Sequence, residues 1–203
     1  SQVAALKTEQ VAALETVDLA KLTTNQVQAL TTAQVVALST DQVPNLLTSQ
    51  VAALKTEQVS ALETVDLVQL TTNQVQALTT AQVVALTTTQ AEKLGTAQLA
   101  ALTSTQVKAM ETADLAKLST DQLRAITTAA IAGLDSAQVA SLSTLQVSTL
   151  TDGQVAALSA AQAQGIEVGD LAVMTSTQLQ SLSTAAVAQL STAQVAALTT
   201  QQL

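Results

Sequence analysis

The sequence predicts an all-α solenoid built from very short helices, each of which begins at a capping residue. An eight-residue unit, the octad, repeats without a break from Lys7 to Leu198, giving 24 full copies with a partial copy at each end. Every octad resembles a helix start, and octad composition changes with a period of three octads. A tandem array of this kind buries its apolar residues by coiling, so that each unit packs on its neighbours.

Each octad contains the signals of a helix start. We letter its positions a to h, so that Thr79 is a, Gln82 is d, Val83 is e and Leu86 is h. Position a is Ser, Thr or Asp in 16 octads, d is Gln in 18, and h is always Leu, Ile or Met. A Ser or Thr followed three residues later by Gln is a capping box. The hydroxyl accepts the third helical N–H, and the Gln side chain accepts the N–H of the capping residue. Each octad therefore predicts a helix of about a turn and a half.

Two other folds were weighed against short helices. In one continuous helix, the apolar stripe would rotate by about 80° per octad, and no straight partner could follow it. A β-solenoid is encouraged by Thr and Val, but the apolar spacing alternates between three and five, and Ala and Gln are weak strand formers. Helices this short are unstable alone because nucleation is costly, so we expect packing between coils to hold them.

Position g predicts how many octads make one coil. In every third octad, beginning with residues 15–22, g is never Ala; in the other sixteen octads it is Ala twelve times. We therefore expect three octads per triangular coil, with e and h inside and Thr at b near the wall. Two sides should bring backbone close to g, and the third should leave g in water. The whole chain, 1–203, is expected to form a single continuous solenoid, roughly 70–85 Å long at ~8–10 Å per coil.

Composition excludes most chemistry. The chain has no His, no Cys and no aromatic residue, and its net charge is −8. Ser-His-Asp and Cys-His catalysis and the usual zinc sites therefore cannot occur, and no phosphate-binding glycine motif is present. We expect no enzymatic activity, no cofactor, no small-molecule substrate and, because the chain is acidic, no nucleic acid. No run of about 20 apolar residues predicts membrane insertion.

One octad is expected to depart from the regular helix. Pro44, at position f, has no backbone N–H, so the helix of residues 39–46 should be weakened there.

Acidic pairs at a and d are the candidate metal sites. The first three pairs recur every six octads, and the fourth, Glu167/Asp170, follows later. Calcium normally takes six to eight oxygen ligands, and no known calcium-loop pattern supplies them here. The favoured interpretation is an Asp that interacts with the helix N-terminus in place of Gln. The three recurring pairs are Glu15/Asp18, Glu63/Asp66 and Glu111/Asp114.

Two surfaces are candidates for binding. The third side of the coil offers an interaction edge through its polar g residues Lys21, Gln69, Lys93 and Lys117. Rows of Thr at a and b could order water as ice-binding solenoids do, although capping already explains Thr at a. A designed scaffold is a further alternative, but a designer would not choose the irregular octads near the C-terminal end.

The runs LTTAQVVALTT (78–88) and LSTAQVAALTT (190–200) resemble octapeptide arrays of very large exported bacterial proteins, often described as adhesin-like. This resemblance covers essentially the whole chain. It implies an extracellular or cell-surface stalk, filament or adhesive spacer. Because neither terminal octad is visibly a polar cap, we expect the chain to associate with itself end to end or laterally. The alternative is an adhesive module that binds a protein or surface through its polar third side.

Overall fold

A helix begins in almost every octad, one residue after position a. The computed structural model describes residues 2–202. Within them, the α-helices are four to six residues long and their first residues follow one another at intervals of eight, as at Thr8, Thr16, Thr24 and Thr32. Position a is extended in each case, for example with φ −66° and ψ 159° at Thr71, and the chain then turns into the next helix. The predicted all-α class is confirmed.

The chain divides into two compact units, Ser1–Ala101 and Leu102–Leu203. The first unit contains a 3₁₀ helix at Gln2–Ala5, a second at Val43–Asn45, and the α-helices α1 Thr8–Ala12, α2 Thr16–Leu19, α3 Thr24–Gln28, α4 Thr32–Val36, α5 Thr48–Ala53, α6 Thr56–Ala61, α7 Thr64–Leu67, α8 Thr72–Ala77, α9 Thr80–Val84, α10 Thr88–Lys93 and α11 Thr96–Ala101.

The second unit continues the same pattern. It contains α12 Ser104–Ala109, α13 Thr112–Leu115, α14 Thr120–Ala125, α15 Thr128–Ile131, α16 Ser136–Ala140, α17 Thr144–Thr149, α18 Asp152–Ala156, α19 Ala160–Gln164, α20 Val168–Val173, α21 Ser176–Ser181, α22 Thr184–Val187 and α23 Thr192–Ala196.

In each unit, a helix packs on the helix that begins three octads later. In the second unit this produces three columns: α12, α15, α18 and α21; α13, α16, α19 and α22; and α14, α17, α20 and α23. In the first unit, α3, α5, α8 and α11 form one column and α1, α4, α6 and α9 another. The third column pairs α2 with the second 3₁₀ helix and α7 with α10. The prediction of three octads per coil is therefore confirmed, and we call one such coil a lap.

Positions e and h form the core, as predicted. Leu99, Leu123 and Ile131 at e are fully buried, and the Leu and Met residues at h in the interior laps are nearly so. The interior contains aliphatic side chains and Met, which suits a narrow coil with helices on three sides. Helices of four to six residues could not persist in water without this burial, since the conformational entropy lost in forming the first turn outweighs the single hydrogen bond gained.

Position b was predicted near the wall of the core, and its burial varies along the chain. Thr24, Thr48, Thr72 and Thr96 are exposed, whereas Thr64 and Thr88 are half-buried. Position b is the first residue of the helix, and its side chain projects away from the stripe formed by e and h.

Position g and Pro44 follow the sequence prediction. Lys21, Gln69, Lys93 and Lys117 are exposed on the third side, whereas most Ala residues at g on the other two sides are half-buried. Around Pro44 the α-helix is replaced by the short 3₁₀ helix, because Pro cannot donate the bond that an α-turn needs at that point. No helix of residues 2–202 is long and apolar enough to span a membrane.

Candidate functional site

The Gln at position d makes two sets of hydrogen bonds at once. Gln74 closes the capping box: its Oε1 accepts the Thr71 N–H at 2.7 Å, and its own N–H donates to the Thr71 hydroxyl at 3.3 Å. Its Nε2 donates to the carbonyl oxygens of Val43 at 3.0 Å and Leu46 at 2.7 Å. One buried carboxamide thus fastens its own helix start and joins it to an octad far back along the chain.

The second set of bonds connects successive laps. The two acceptors lie 31 and 28 residues before the Gln, at e and h of the octad four places earlier. That octad ends at the corner leading into the octad directly beneath the Gln. Helix C-termini carry carbonyl groups without intrahelical partners. The Gln amide donates to one such carbonyl, that of Leu46, and adds a second bond to the Val43 carbonyl, which also accepts the Leu46 N–H at 3.2 Å. The same joint is made in the first unit by Gln34, Gln42, Gln50, Gln58, Gln74, Gln82, Gln90 and Gln98, and in the second by Gln138, Gln146, Gln154, Gln162, Gln178, Gln194 and Gln202.

Sequence reasoning found the capping box but missed the lap joint. A signal was present: Glu serves a capping box as well as Gln does, yet Glu never occurs at d in the 24 octads. Glu has no N–H to donate, so it could fill the first role of this side chain and not the second.

Where d is Asp, the joint loses its donor. Asp66 and Asp170 are 3% and 2% exposed, and Asp114 is also buried. Burial raises the pKa of the Asp66 carboxyl, and the nearby Glu63 carboxylate raises it further. These residues replace a neutral donor of two hydrogen bonds by a carboxylate, which can only accept when ionised.

Asp18, in the first lap, lies in a different environment. Its side chain is 54% exposed, and its Oδ1 lies 3.0 Å from the Lys21 Nζ. An exposed pair of this kind contributes little to stability. The sequence gives the pairs Glu15/Asp18 and Glu63/Asp66 the same pattern, and the structure separates them by burial. Among residues 2–202, no group of three or more His, Cys, Asp or Glu side chains forms a metal site.

The predicted interaction edge consists of separate polar side chains, and two of its Lys residues have close acidic neighbours. Besides the Lys21 contact with Asp18, the Lys93 Nζ lies 3.7 Å from a carboxylate oxygen of Glu92. The edge residues are exposed on the third side of the coil, as expected, and each projects from a separate octad.

The fold and the lap joint define a helical solenoid repeat protein. The model of the ALTTAQ repeat matches residues 11–48, 59–96, 107–144 and 163–200, which is more than half of the chain. The chain belongs to the ALTTAQ repeat family. The first three matched stretches begin six octads apart, which is two laps, and the fourth begins seven octads after the third. No curated protein matches the chain.

The lap joint predicts that Gln82→Glu destabilises the fold while preserving the capping box. Glu can still accept the Thr79 N–H, but it cannot donate to the Val51 and Leu54 carbonyls, which Gln82 Nε2 reaches at 2.9 Å and 2.6 Å. We expect a loss of about 1–3 kcal/mol in the free energy of unfolding, measured by urea denaturation followed by circular dichroism at neutral pH. Gln10→Glu is the matched control, because Gln10 is exposed and makes the cap bond to Lys7 alone. Equal losses in the two variants would contradict the joint.

The raised pKa of Asp66 predicts a stability that improves as the pH falls. The cost of burying the ionised carboxylate is present above the folded-state pKa and is relieved as the pH drops through it, because the folded state then binds the proton more readily than the unfolded chain. With EDTA present to remove metal ions, Asp66→Gln should therefore have a higher free energy of unfolding than the parent at pH 7. This difference should shrink toward pH 4. Thermal unfolding across this range measures it.

Two features of this experiment separate the effect from others. The bonds that the new Gln makes are independent of pH, so they change the free energy of unfolding by the same amount at every pH. Asp18→Gln removes the same charge from an exposed position and corrects for the net charge. An advantage for Asp66→Gln that stays constant or grows on acidification would contradict the prediction.

Proposed function

We propose that this chain is a structural spacer: a solenoid segment of an exported bacterial surface protein that acts by its length and stiffness. The observation that carries the proposal is the lap joint. Each joint connects one octad with the octad four places earlier. A further lap therefore adds the same bonds and buries the same e and h positions. Repeat arrays of this type grow without redesign of the core, because each unit contacts only its neighbours.

The surface of the chain supports a mechanical role over a chemical one. Exposed positions carry mostly Ala, Thr, Ser and Gln, and charged residues make up 11% of the sequence. With neither His nor Cys in the chain, the proposal includes no catalytic activity. The exported location rests on the resemblance of runs such as LTTAQVVALTT to arrays of exported bacterial proteins.

We propose that copies of this chain associate end to end. In the last lap, Val187 and Val195 at e are 47% and 48% exposed, whereas e residues in interior laps are almost completely buried. In the first lap, Gln10 and Gln26 make their cap bonds, and no lap of residues 2–202 lies beneath them. These two surfaces are the halves of an ordinary lap joint, and the groups they present would meet a neighbouring lap in a longer array.

The spacer proposal predicts that one whole lap can be added. A second copy of residues 71–94 inserted after Leu94 keeps the octad register. We expect unchanged ellipticity per residue at 222 nm and an increase in the maximum dimension, measured by small-angle X-ray scattering, of about 8–10 Å. A Gly/Ser segment of equal length at the same point is the control, and it should lower the ellipticity per residue. An inserted lap that behaves like the Gly/Ser segment would overturn the proposal.

End-to-end association predicts that sedimentation velocity shows concentration-dependent oligomers of the chain. Val187→Lys combined with Val195→Lys should abolish them, because a charge at each e position prevents burial against another copy. Val84→Lys is the control, since Val84 is 47% exposed but lies at position f on a lateral surface. A contact of micromolar affinity would be saturated at about 100 μM, so a chain that is still monomeric at this concentration would refute the association. The spacer role would then be tested by the lap insertion alone.

A further inference from the structure

Two acidic substitutions always occur together in this sequence. Position d is Asp in four of the 24 octads, position a is Glu in four, and they are the same four octads. The fourth pair, Glu167/Asp170, begins seven octads after Glu111 rather than six, so it lies on a different side of the coil and outside the regular series. The pairing therefore recurs in two different structural registers.

The pairing places a second negative charge close in sequence to a buried carboxyl group. Asp66 and Asp170 are 3% and 2% exposed, and Glu63 and Glu167 at position a are exposed. A Thr or Ser at position a would cap the helix without adding this charge, as it does in most other octads. Neighbouring carboxylates are typical of cation sites, where the ion reverses the sign of their interaction.

At the neighbouring joints, the side chain at position d faces two backbone carbonyl oxygens of an earlier octad. On either side of Asp66, Gln58 and Gln74 donate to the e and h carbonyls of the octads four places earlier, at 2.7–3.0 Å. The equivalent carbonyls for Asp66 belong to Val35 and Leu38. No side chain in the described part of the chain donates to either of them.

The same holds for Asp170 in the second unit. The flanking Gln162 and Gln178 reach the h carbonyls of their joints at 2.7 Å, and the equivalent carbonyls for Asp170 are those of Val139 and Leu142. Asp170 is 2% exposed, and its Oδ2 has no hydrogen-bond partner within residues 2–202. A buried carboxylate oxygen without a partner thus lies at position d, from which the Gln side chains of the neighbouring joints reach the preceding lap.

We propose that Asp66 and Asp170, each with the Glu at position a and the two carbonyl oxygens of the lap joint, bind a Ca²⁺ ion that takes the place of the Gln carboxamide. Both kinds of ligand are hard oxygen donors: carboxylates that bind in one or two contacts, and backbone carbonyls. Ca²⁺ accepts such a set in irregular geometry and completes it with water, whereas Mg²⁺ demands near-octahedral geometry and gives up its water reluctantly. The ion neutralises the acidic pair and joins the two laps.

A proton would answer the same problem less completely. A protonated Asp has one O–H and can donate to one carbonyl, while Gln at the neighbouring joints satisfies two. The proton also leaves the Glu carboxylate without a role. A divalent cation interacts with both carboxylates and both carbonyls together.

Asp18 provides the control within the chain. Glu15 and Asp18 have the same sequence pattern, but Asp18 is half-exposed and paired with Lys21, and no lap of the described chain lies beneath it. It lacks both the burial and the carbonyl oxygens that define the proposed site.

The test is isothermal titration calorimetry of the full 203-residue chain with CaCl₂ at pH 7 and about 0.15 M salt, an ionic strength that screens loose surface binding. The single variants Asp66→Gln and Asp170→Gln should each lower the number of bound Ca²⁺ ions by one, and the double variant by two. Asp18→Gln should leave the number unchanged. Because Gln is the usual residue at d, these variants are expected to fold, which circular dichroism verifies. The parent should gain thermal stability in Ca²⁺ relative to EDTA, and the double variant should gain less.

Several results would overturn the proposal. They are an absence of calcium binding, an equal effect of Asp18→Gln, an unchanged stoichiometry in the double variant, or equal binding of MgCl₂ at the same sites. Stabilisation by acid alone, with no response to Ca²⁺ at pH 7, would assign these joints to protonation. None of these results bears on the spacer role, which the lap insertion tests separately.

Discussion

The donation of one Gln amide to two carbonyls of the preceding lap is the interaction on which the rest of the structure depends. A helix of four to six residues leaves most of its backbone groups without intrahelical partners, so a chain made of such helices consists largely of helix ends. The capping box satisfies donors at the start of each helix, and the Nε2 of the same side chain satisfies acceptors at the end of another. Polar satisfaction and coiling are thereby achieved by the same residue.

The aliphatic interior and the lap joint make different contributions to the fold. Burial of e and h supplies the non-directional driving force for coiling, and the Gln bonds fix which octad lies over which. Apolar contact between Val and Leu residues would tolerate small shifts of one lap over another. A buried carboxamide must meet the carbonyls at e and h, and a shift by part of an octad would leave polar groups unsatisfied at a cost of about 1–3 kcal/mol each. Specificity of register thus comes from the polar residue.

Much of the architecture could be predicted from the sequence because the repeat multiplies weak signals. A single Thr-x-x-Gln would be a poor indicator of a helix start, but its recurrence in most of 24 octads is a strong one. The absence of Ala at g in every third octad predicted the lap. The varied burial of Thr at b could not be predicted, because local capping rules do not state which way the first residue of a helix faces.

The candidate site was harder to predict for a different reason. The Asp18 and Asp66 octads, ETVDLAKL and ETVDLVQL, are almost identical, yet one Asp is exposed beside Lys21 and the other is buried. Lys21 in one octad corresponds to Gln69 in the other, and a lap of the described chain lies beneath Asp66 and not beneath Asp18. The lap joint itself spans 28 and 31 residues, so its acceptors are invisible to reasoning within one octad.

The longer interval between the third and fourth matched stretches has a consequence for how such arrays change. Two laps contain six octads, and this interval contains seven. The additional octad places the fourth matched stretch on the adjacent side of the coil. The core is indifferent to this step, since each face contributes the same e and h residues. Gain or loss of a single octad therefore moves the surface residues of all later octads to the adjacent side of the coil. Evolution can change the direction in which a surface feature faces without repacking the interior.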